Sequence, residues 1–263
     1  MAGKTQVTST LIFDIETIPD VAGLRVAWGL EGDDDAVAQA AFERRREQTN
    51  GSDFLPLHLH QIIVISMLMR DADGLRVKSL QGGPGEEGRL IQAFFKTIEK
   101  YSPNLVSWNG SGFDLQVLHY RGLIHKVQAP RYWDQGDDNR DFRYNNYISR
   151  YHSRHTDLMD LMALYNGRAN APLDQLARLC GFPGKLGMDG AQVWPAWREG
   201  RLGEIRDYCE TDVANTWLLW CRFQLMRGAL DPVQYEAEMT HTRSTLESLE
   251  GKHWREFINQ WPQ

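Results

Sequence analysis

Apolar residues follow strand-like patterns in several parts of the chain. Residues 11–17 form an almost continuous apolar run, as in a strand that is buried on both faces. Residues 61–70 and 75–81 are two further β-like runs, and the Asp73-Gly74 pair between them predicts a hairpin turn. A short apolar run predicts a strand at residues 104–108, and residues 155–158 are predicted to form a last short strand.

Helical periodicity accounts for most of the remaining chain. Residues 18–60 form a long excursion that holds one alanine-rich helix, and residues 131–155 form a loop-rich insertion without a clean period. The predicted helices cover residues 36–48, 86–101, 113–124, 172–180 and 203–226, with one or two more after residue 231. This order of elements predicts the α/β class, with a mixed central β-sheet flanked by α-helices.

Composition places the chain of 263 residues among ordinary globular proteins. Its 42% hydrophobic and 24% charged residues fit a folded core, and its length suits one domain over residues 1–263, with a helical C-terminal extension from residue 231. The net charge of −6 is unfavourable for non-specific adhesion to nucleic acid. It does not exclude a nucleic-acid substrate, because bound cations would neutralise an acidic site.

The sequence indicates neither a membrane span nor a disulfide framework. Residues 1–6 lack an apolar leader and the longest apolar run, at residues 62–69, is too short to span a bilayer, so we expect a cytoplasmic location. The three cysteines, Cys180, Cys209 and Cys221, are odd in number and lack C-x-x-C spacing. We interpret them as buried structural thiols.

Two carboxylates, Asp14 and Glu16, interrupt the apolar run at residues 11–17. In a β-strand, residues i and i+2 point to the same face, so both carboxylates project together. Like charges this close repel each other unless a cation lies between them. An acidic pair is common on solvated strand edges, but the apolar flanks weaken that explanation, and the pair predicts a divalent metal site.

A third acid, Asp114, follows the apolar run that ends near Trp108. Gly110 and Gly112 permit a tight turn there, and Asp114 stands where the next helix should begin. Taken alone, this acid could equally serve the helix N-terminus through the helix dipole.

The predicted helix at residues 203–226 carries Tyr208 and Asp212, which are i and i+4 and therefore share one helix face. A solvent-facing tyrosine and aspartate would be the commoner outcome for such a pair taken alone. Considered jointly with the other three acids, the pair predicts a single acidic constellation.

Together these segments resemble the DEDD 3′-5′ exonucleases. Residues 13–17 are similar to the first motif of that superfamily, residues 109–114 to the second, and Tyr208 through Asp212 to the third, in the same order. The tyrosine identifies the DEDDy branch, since the histidine branch has His where this chain has Asp207. Within that branch the chain resembles stand-alone bacterial exonucleases related to the exonuclease domain of family B DNA polymerases. The motifs span residues 11–226.

The resemblance implies a ribonuclease H-like exonuclease fold and metal-dependent phosphodiester hydrolysis. It makes the acids ligands of two Mg²⁺ or Mn²⁺ ions, which prefer hard oxygen donors. Asp14 would bridge the ions, Glu16 and Asp212 would hold the ion that generates hydroxide, and Asp114 would hold the ion at the leaving oxygen. Tyr208 would orient the attacking water, because a phenol with a pKa of about 10 is a weak base at neutral pH.

The resemblance also implies contacts between three residues and the 3′ end of a nucleic acid. These residues are Thr17, Asn109 and Phe113. For Phe113 a core position beneath the turn is an equal alternative.

Residues 131–154 interleave arginines with aromatic rings, which suits phosphate contacts and base stacking on a single strand. The four aspartates in the same stretch leave a merely structural insertion as an open alternative. From this stretch we predict that Arg143 and Arg150 bind substrate.

The predicted function is a 3′-5′ exonuclease that acts on single-stranded DNA and releases nucleoside 5′-monophosphates. Exoribonuclease activity on short RNA is an alternative, because the motifs do not identify the sugar. A non-catalytic nucleic-acid-binding module on the same fold would be expected to have lost one of the acids. A nucleotide-binding ATPase is poorly supported, because residues 181–185 lack the spacing and the Ser/Thr of a phosphate loop.

Overall fold

The computed structural model describes residues 9–262, in which five strands form one sheet with the order β3-β2-β1-β4-β5. The strands are β1 (Thr10–Pro19), β2 (His60–Asp71), β3 (Gly74–Gln81), β4 (Asn104–Ser107) and β5 (His155–Asp157). β1 pairs antiparallel with β2 and parallel with β4, so the sheet is mixed and β1 is its central strand.

Helices cover both faces of this sheet. They are α1 (Val21–Trp28), α2 (Asp34–Thr49), α3 (Glu87–Tyr101), α4 (Asp114–Ile124), α5 (Pro130–Trp133), α6 (Leu158–Met162), α7 (Leu173–Leu179), α8 (Val193–Arg198), α9 (Leu202–Met226), α10 (Pro232–Ser248) and α11 (Lys252–Gln260). The mixed sheet with flanking helices confirms the predicted α/β class, and the fold is of the ribonuclease H-like kind.

Side chains alternate along β1 and divide the core into two layers. Leu11 and Phe13 pack against α3 and α4, whereas Ile12 and Ile18 pack against α9. Asp14 and Glu16 have the parity of Ile12, so both carboxylates face α9. The alternation along one strand therefore determines which helix must complete the site.

The C-terminal helices α10 and α11 pack against the far side of α9. The Trp217 indole donates a hydrogen bond to Thr242 Oγ1 of α10 at 2.9 Å, and Trp254 and Phe257 of α11 join the same apolar cluster. Helix α9 is therefore held between the sheet and a helical layer, and most of its side chains are buried.

Several predicted boundaries differ from the structure. Helix α1 lies in the excursion at residues 18–60 and was not predicted, because it has only eight residues. Its start is fixed by Asp20, whose side chain accepts a hydrogen bond from the Gly23 N–H at 3.0 Å. The strand predicted at residues 155–158 ends at Asp157, since the Asp157 side chain caps α6.

The insertion at residues 131–154 is partly a core element. Tyr132, Phe142 and Tyr147 are almost fully buried in the apolar layer beside α3 and α4. The Arg154 guanidinium lies over the Phe142 ring, 4.0 Å from its centroid. Much of the interleaved arginine and aromatic pattern therefore serves packing, as the structural alternative proposed.

None of the helices in residues 9–262 is long and apolar enough to cross a membrane. Residues 1–6, from which a missing leader was inferred, lie outside the described residues. The three cysteines are free thiols, and Cys209 and Cys221 are buried as predicted. The prediction is wrong for Cys180, which is half-buried because it lies at the C-terminal end of α7.

Candidate active site

The carboxyl half of β1 supplies the first two acids. Asp14 is half-buried and Glu16 is buried, and they pair with Ser66 and Val64 of β2. The register shifts immediately after Glu16, where the sequence of β2 has one extra residue. Such a bulge changes the direction of neighbouring side chains, and it lies next to the candidate site.

Asp114, the first residue of α4, contacts the same strand. It is buried, and its Oδ1 accepts a hydrogen bond from the Ile15 N–H at 3.1 Å. Ile15 lies between the first two acids, so this bond draws the end of α4 onto them. The Asp114 carboxylate therefore contacts the central strand as well as standing at the N-terminus of α4.

The turn before α4 is held by the end of β5. Asp157 accepts hydrogen bonds from the Asn109 N–H at 3.0 Å and the Ser111 N–H at 2.8 Å. A Cβ on Gly110 would lie 2.3 Å from Ser107 Oγ, so this position requires glycine. The tight turn expected from the two glycines is present, and it sets where Asp114 stands.

Helix α9 presents Tyr208 and Asp212 to the face of β1 that carries the acids. Both residues are buried, so the solvent-facing alternative is wrong for them. The reason is that α9 lies between the sheet and the C-terminal helices rather than at the surface. The structure thus brings all five predicted residues of the three motifs to one place.

Lys185 reaches the same place from the loop between α7 and α8. Its ammonium group lies 3.1 Å from Asp212 Oδ2 and donates a hydrogen bond to the Tyr208 hydroxyl. Asn215 of α9 fixes the preceding residue through bonds of 3.1 and 2.9 Å to its backbone, and Asp174 accepts from the Lys185 N–H at 2.7 Å. The lysine is therefore held at the site by its own loop.

Lys185 was not predicted as a site residue. Residues 181–185 were considered only as a possible phosphate loop, and a single lysine in a loop has no periodicity that would distinguish it. The available signal was electrostatic, because four converging carboxylates call for a cation.

Burial disfavours the charged form of every acid at this site, and repulsion by neighbouring site acids adds to this for Asp14, Glu16 and Asp114. Burial, followed by the charges of Asp114 and Asp212, raises the pKa of Asp14 well above its ordinary range. Burial and the Asp14 charge do the same for Glu16. Burial raises the pKa of Asp114 to about 7, and burial also raises that of Asp212 although Lys185 opposes the shift. Without a cation, the four carboxylates are therefore unfavourable in their charged forms.

The donor set fits hard divalent cations. Asp212 Oδ1 is buried and has no hydrogen-bond partner among the described residues. Ligand oxygens of Asp14 and Glu16 lie within 4.8 Å of each other and of the Cys209 sulfur. Burial keeps the pKa of Cys209 well above its ordinary value, so its thiol stays protonated and donates to Asp14 Oδ2 at 3.3 Å. The oxygen donors are therefore the ones that suit Mg²⁺ or Mn²⁺.

A cavity of about 770 Å³ has Glu16, one of the four acids, in its wall, and we name it the catalytic cavity. All three residues that the resemblance associates with the 3′ end, Thr17, Asn109 and Phe113, line it. Phe113 is only half-buried there, with its ring 5.7 Å from the exposed ring of Phe54. Its position in the wall fits contact with substrate as well as packing.

The two arginines predicted to bind substrate are exposed but differ in position. Arg150 lines two further cavities, of about 560 and 300 Å³, and pairs with Asp160 at 2.7 Å. Arg143 ends a short 3-10 turn and lines none of these three cavities. Substrate contact by either arginine stays a prediction.

A second acidic cluster on α9, formed by Asp207 and Glu210, contacts a histidine of α11. The two ring nitrogens of His253 face different carboxylates, Glu210 at 2.8 Å and Asp207 at 3.3 Å. Burial opposes protonation, yet the contacts with the carboxylates of Asp207 and Glu210 raise the pKa of His253 to about 9. A protonated imidazole has no lone pair for a metal, so this cluster is an ion bridge between α11 and α9.

The central strand with two acids, the acid at the start of α4, and the Tyr-Asp pair on α9 define an exonuclease domain of the ribonuclease H-like class. The chain belongs to the family of predicted 3′-5′ exonucleases related to the exonuclease domain of PolB, whose model matches residues 52–261. It is an enzyme that hydrolyses phosphodiester bonds. No curated protein matches the chain.

The residues matched by the family model include only part of the candidate site. The matched range contains Asp114, Tyr208 and Asp212, but it begins after Asp14 and Glu16. The assignment of these two acids therefore rests on their geometry in β1.

Proposed function

We propose that this exonuclease shortens single-stranded DNA from its 3′ end by a two-metal reaction and releases nucleoside 5′-monophosphates. One observation carries the proposal: four buried or half-buried carboxylates from three elements converge, and one oxygen of the Asp212 carboxylate is buried without a hydrogen-bond partner among the described residues. The four acids are Asp14, Glu16, Asp114 and Asp212. Such an arrangement is unfavourable without cations and is what a divalent metal centre requires.

The four acids would hold two Mg²⁺ or Mn²⁺ ions, which when bound neutralise charge on the scissile phosphate and lower the pKa of a water molecule. The rest of the site supplies orientation. The Lys185 ammonium fixes Asp212 Oδ2 and the Tyr208 hydroxyl relative to each other. This preorganises one ligand and one hydrogen-bonding group before substrate arrives.

Tyr208 acts in this proposal as a hydrogen-bonding group rather than a base. Burial and the charges of Asp212 and Glu16 raise its pKa above the ordinary value, so the phenol stays protonated at neutral pH. Its O–H would orient the attacking water. We expect Tyr208→Phe to lower kcat about 100-fold at saturating metal with little change in KM; full turnover would contradict this role.

Thr17 offers an acceptor for the terminal hydroxyl of the substrate. His60 Nε2 lies 3.1 Å from the Leu55 carbonyl oxygen, so this nitrogen donates. Burial lowers the pKa of His60 to about 4, which leaves Nδ1 unprotonated as the acceptor of the Thr17 hydroxyl at 2.9 Å. With its proton committed, Thr17 Oγ1 has lone pairs available to the catalytic cavity, where a 3′-hydroxyl would donate.

Aromatic rings in the wall of the catalytic cavity suit a terminal base. Phe54 is 53% exposed and lies 4.9 Å from the ring of His60, which contacts Phe113 edge-on at 5.2 Å. An exposed ring supported in this way is a stacking surface that accepts any base. It suits an enzyme that removes nucleotides without sequence preference.

Digestion of matched oligomers tests the substrate. We expect a 5′-labelled DNA of about 20 nucleotides to be shortened faster than the RNA of the same sequence, and a 3′-phosphorylated DNA to resist. Faster digestion of the RNA would assign the enzyme to RNA instead. Equal digestion of the 3′-blocked DNA would contradict recognition of the terminal hydroxyl, and Thr17→Val should lose the preference for a free 3′ end.

A further inference from the structure

Three cavities adjoin one another in series, since each shares lining residues with the next. The catalytic cavity shares Asn109 and Gly112 with a cavity of about 560 Å³, which we name the central groove. The central groove shares Arg150 and Asp160 with a cavity of about 300 Å³, which we name the distal groove. A chain leaving the catalytic cavity past Asn109 therefore enters the central groove and then the distal one.

Exposed aromatic rings line both grooves. Trp133 in the central groove is 48% exposed, and its ring is supported by His119 at 4.8 Å and Tyr132 at 5.2 Å. Tyr151 and Tyr165 in the distal groove are 78% and 39% exposed. Exposed rings that are grouped along adjoining grooves indicate an interaction surface, whereas single exposed rings do not.

The backbone that presents Tyr165 is strained. Leu164 and Tyr165 follow α6 with φ values of 50° and 60°, a region that residues other than glycine rarely adopt twice in succession. A hydrogen bond from the Tyr165 N–H to the Asp160 carbonyl at 2.8 Å maintains this conformation. This conformation places the Tyr165 ring in the distal groove, where its centroid lies 4.6 Å from Cζ of the Arg150 guanidinium.

The charges of the grooves favour stacking over phosphate binding. Asp157 is satisfied by backbone N–H groups, and Asp160 is paired with Arg150. Arg150 and Arg227 are the cations that line the distal groove. A polyanion would find few cations without partners here, but it would find aromatic rings at successive positions.

We propose that the central and distal grooves bind the single strand on the 5′ side of the terminal nucleotides, with Trp133 and Tyr165 stacking on its bases. The proposal rests on the proposed function, because it takes the catalytic cavity as the place of the 3′ end. It adds that substrate length, beyond the nucleotides in the catalytic cavity, determines how well the enzyme binds.

The test compares a long substrate with a minimal one. For each variant the kcat/KM for a DNA of about 20 nucleotides is divided by that for a dinucleotide. We expect Trp133→Ala and Tyr165→Asn each to lower this ratio about fivefold or more, since one stacked base is lost. Asparagine suits the backbone at position 165 because it tolerates positive φ. The control is Tyr144→Ala, an 80% exposed ring of the same insertion that lines none of the three cavities.

Binding gives a second, independent measurement. Fluorescence anisotropy of labelled DNA of about 20 and about 4 nucleotides, with Ca²⁺ in place of Mg²⁺, should show weaker binding of the long strand only in the two groove variants. Arg150→Glu should weaken binding of the long strand more than Arg143→Glu at low salt, and this difference should shrink as salt rises.

The outcomes separate the two proposals. If both groove variants keep the wild-type ratio and the wild-type affinity, the grooves do not bind the strand and the inference is overturned. If the wild type fails to hydrolyse either DNA with metal present, the proposed function fails. The anisotropy comparison then still decides whether the grooves hold a single strand.

Discussion

Asp14 illustrates how a proposed metal ligand opposes the stability of its own fold. Its pKa in the folded state is raised by burial and by Asp114 and Asp212, so its ionised form is disfavoured relative to the unfolded chain. At neutral pH without metal, the folded protein must either protonate this group or tolerate its repulsion. The site therefore costs stability until cations bind.

Removing that charge should stabilise the metal-free protein. We expect Asp14→Asn in chelator to melt about 2–4 °C above the wild type, which corresponds to about 1 kcal/mol, while exonuclease activity is lost. Mn²⁺ should raise the melting temperature of the wild type and have little effect on the variant. Thermal unfolding with and without Mn²⁺ measures both effects.

A surface carboxylate provides the matched control. Glu43 is exposed on α2 and lines none of the three cavities, and Glu43→Gln should leave both the melting temperature and the Mn²⁺ response unchanged. An Asp14→Asn protein that melts lower than the wild type in chelator would contradict the repulsion that we infer.

At the scale of elements, a buried arginine ties α4 to the rest of the sheet layer. Arg121 of α4 contacts both Asp20, at the end of β1, and Glu87, at the start of α3. The three side chains are almost fully buried, and Glu87 also accepts from the Ile62 N–H at 2.8 Å. This network fixes the helix whose first residue is Asp114.

Breaking this network should strongly lower the free energy of unfolding. Arg121→Met would remove the guanidinium that lies between two buried carboxylates and leave Glu87 with His125 Nε2 at 2.7 Å. We expect it to lower the free energy of unfolding by about 3–5 kcal/mol. Urea denaturation measures the change. Arg89→Met removes the arginine of an exposed pair with Glu86 and should cost less than about 1 kcal/mol. Equal costs for the two variants would show that Arg121 is not structural.

The bridge between α11 and α9 should make stability depend on pH. The pKa of His253 is about 9 in the folded protein and about 6.5 in an unfolded chain. A raised pKa of this kind contributes stability that is fully present below about pH 6.5 and is lost as the pH rises through about 9. The C-terminal helix should therefore be held less firmly in alkaline solution.

A substitution isolates this contribution. His253→Gln should lower the free energy of unfolding by about 2 kcal/mol at pH 6, and the difference from the wild type should shrink above about pH 10. Urea denaturation across that range measures it, with His58→Gln, at an exposed histidine, as the control. A deficit that is the same at both ends of the range would contradict the ion bridge.

The sequence predicts best those elements whose pattern is local and regular. The strand at residues 11–17, the hairpin through Gly74 and the apolar face of α3 all follow from periodicity, and the structure confirms them. Helix α1 was missed because two turns carry too little pattern. The sequence could not show whether Tyr132 and Phe142 pack in the core or bind substrate, because aromatic side chains suit both roles.

At the scale of the whole molecule, the site exists only because distant segments meet. Asp14 comes from the central strand, Asp114 from the start of α4, and Asp212 from α9, which spans much of the sheet. The motif order indicated which residues should meet, but Lys185 emerged only from the fold. The contribution of its loop depends on bonds to Asn215 and Asp174 that have no signature in the sequence.

The most direct test of this account is a ladder assay on 5′-labelled single-stranded DNA. The wild type should shorten the strand one nucleotide at a time with Mg²⁺ or Mn²⁺, and it should stop when a chelator is added. Asp212→Ala should leave the strand intact under all conditions. Internal cuts, shortening in chelator, or an active Asp212→Ala protein would contradict the account.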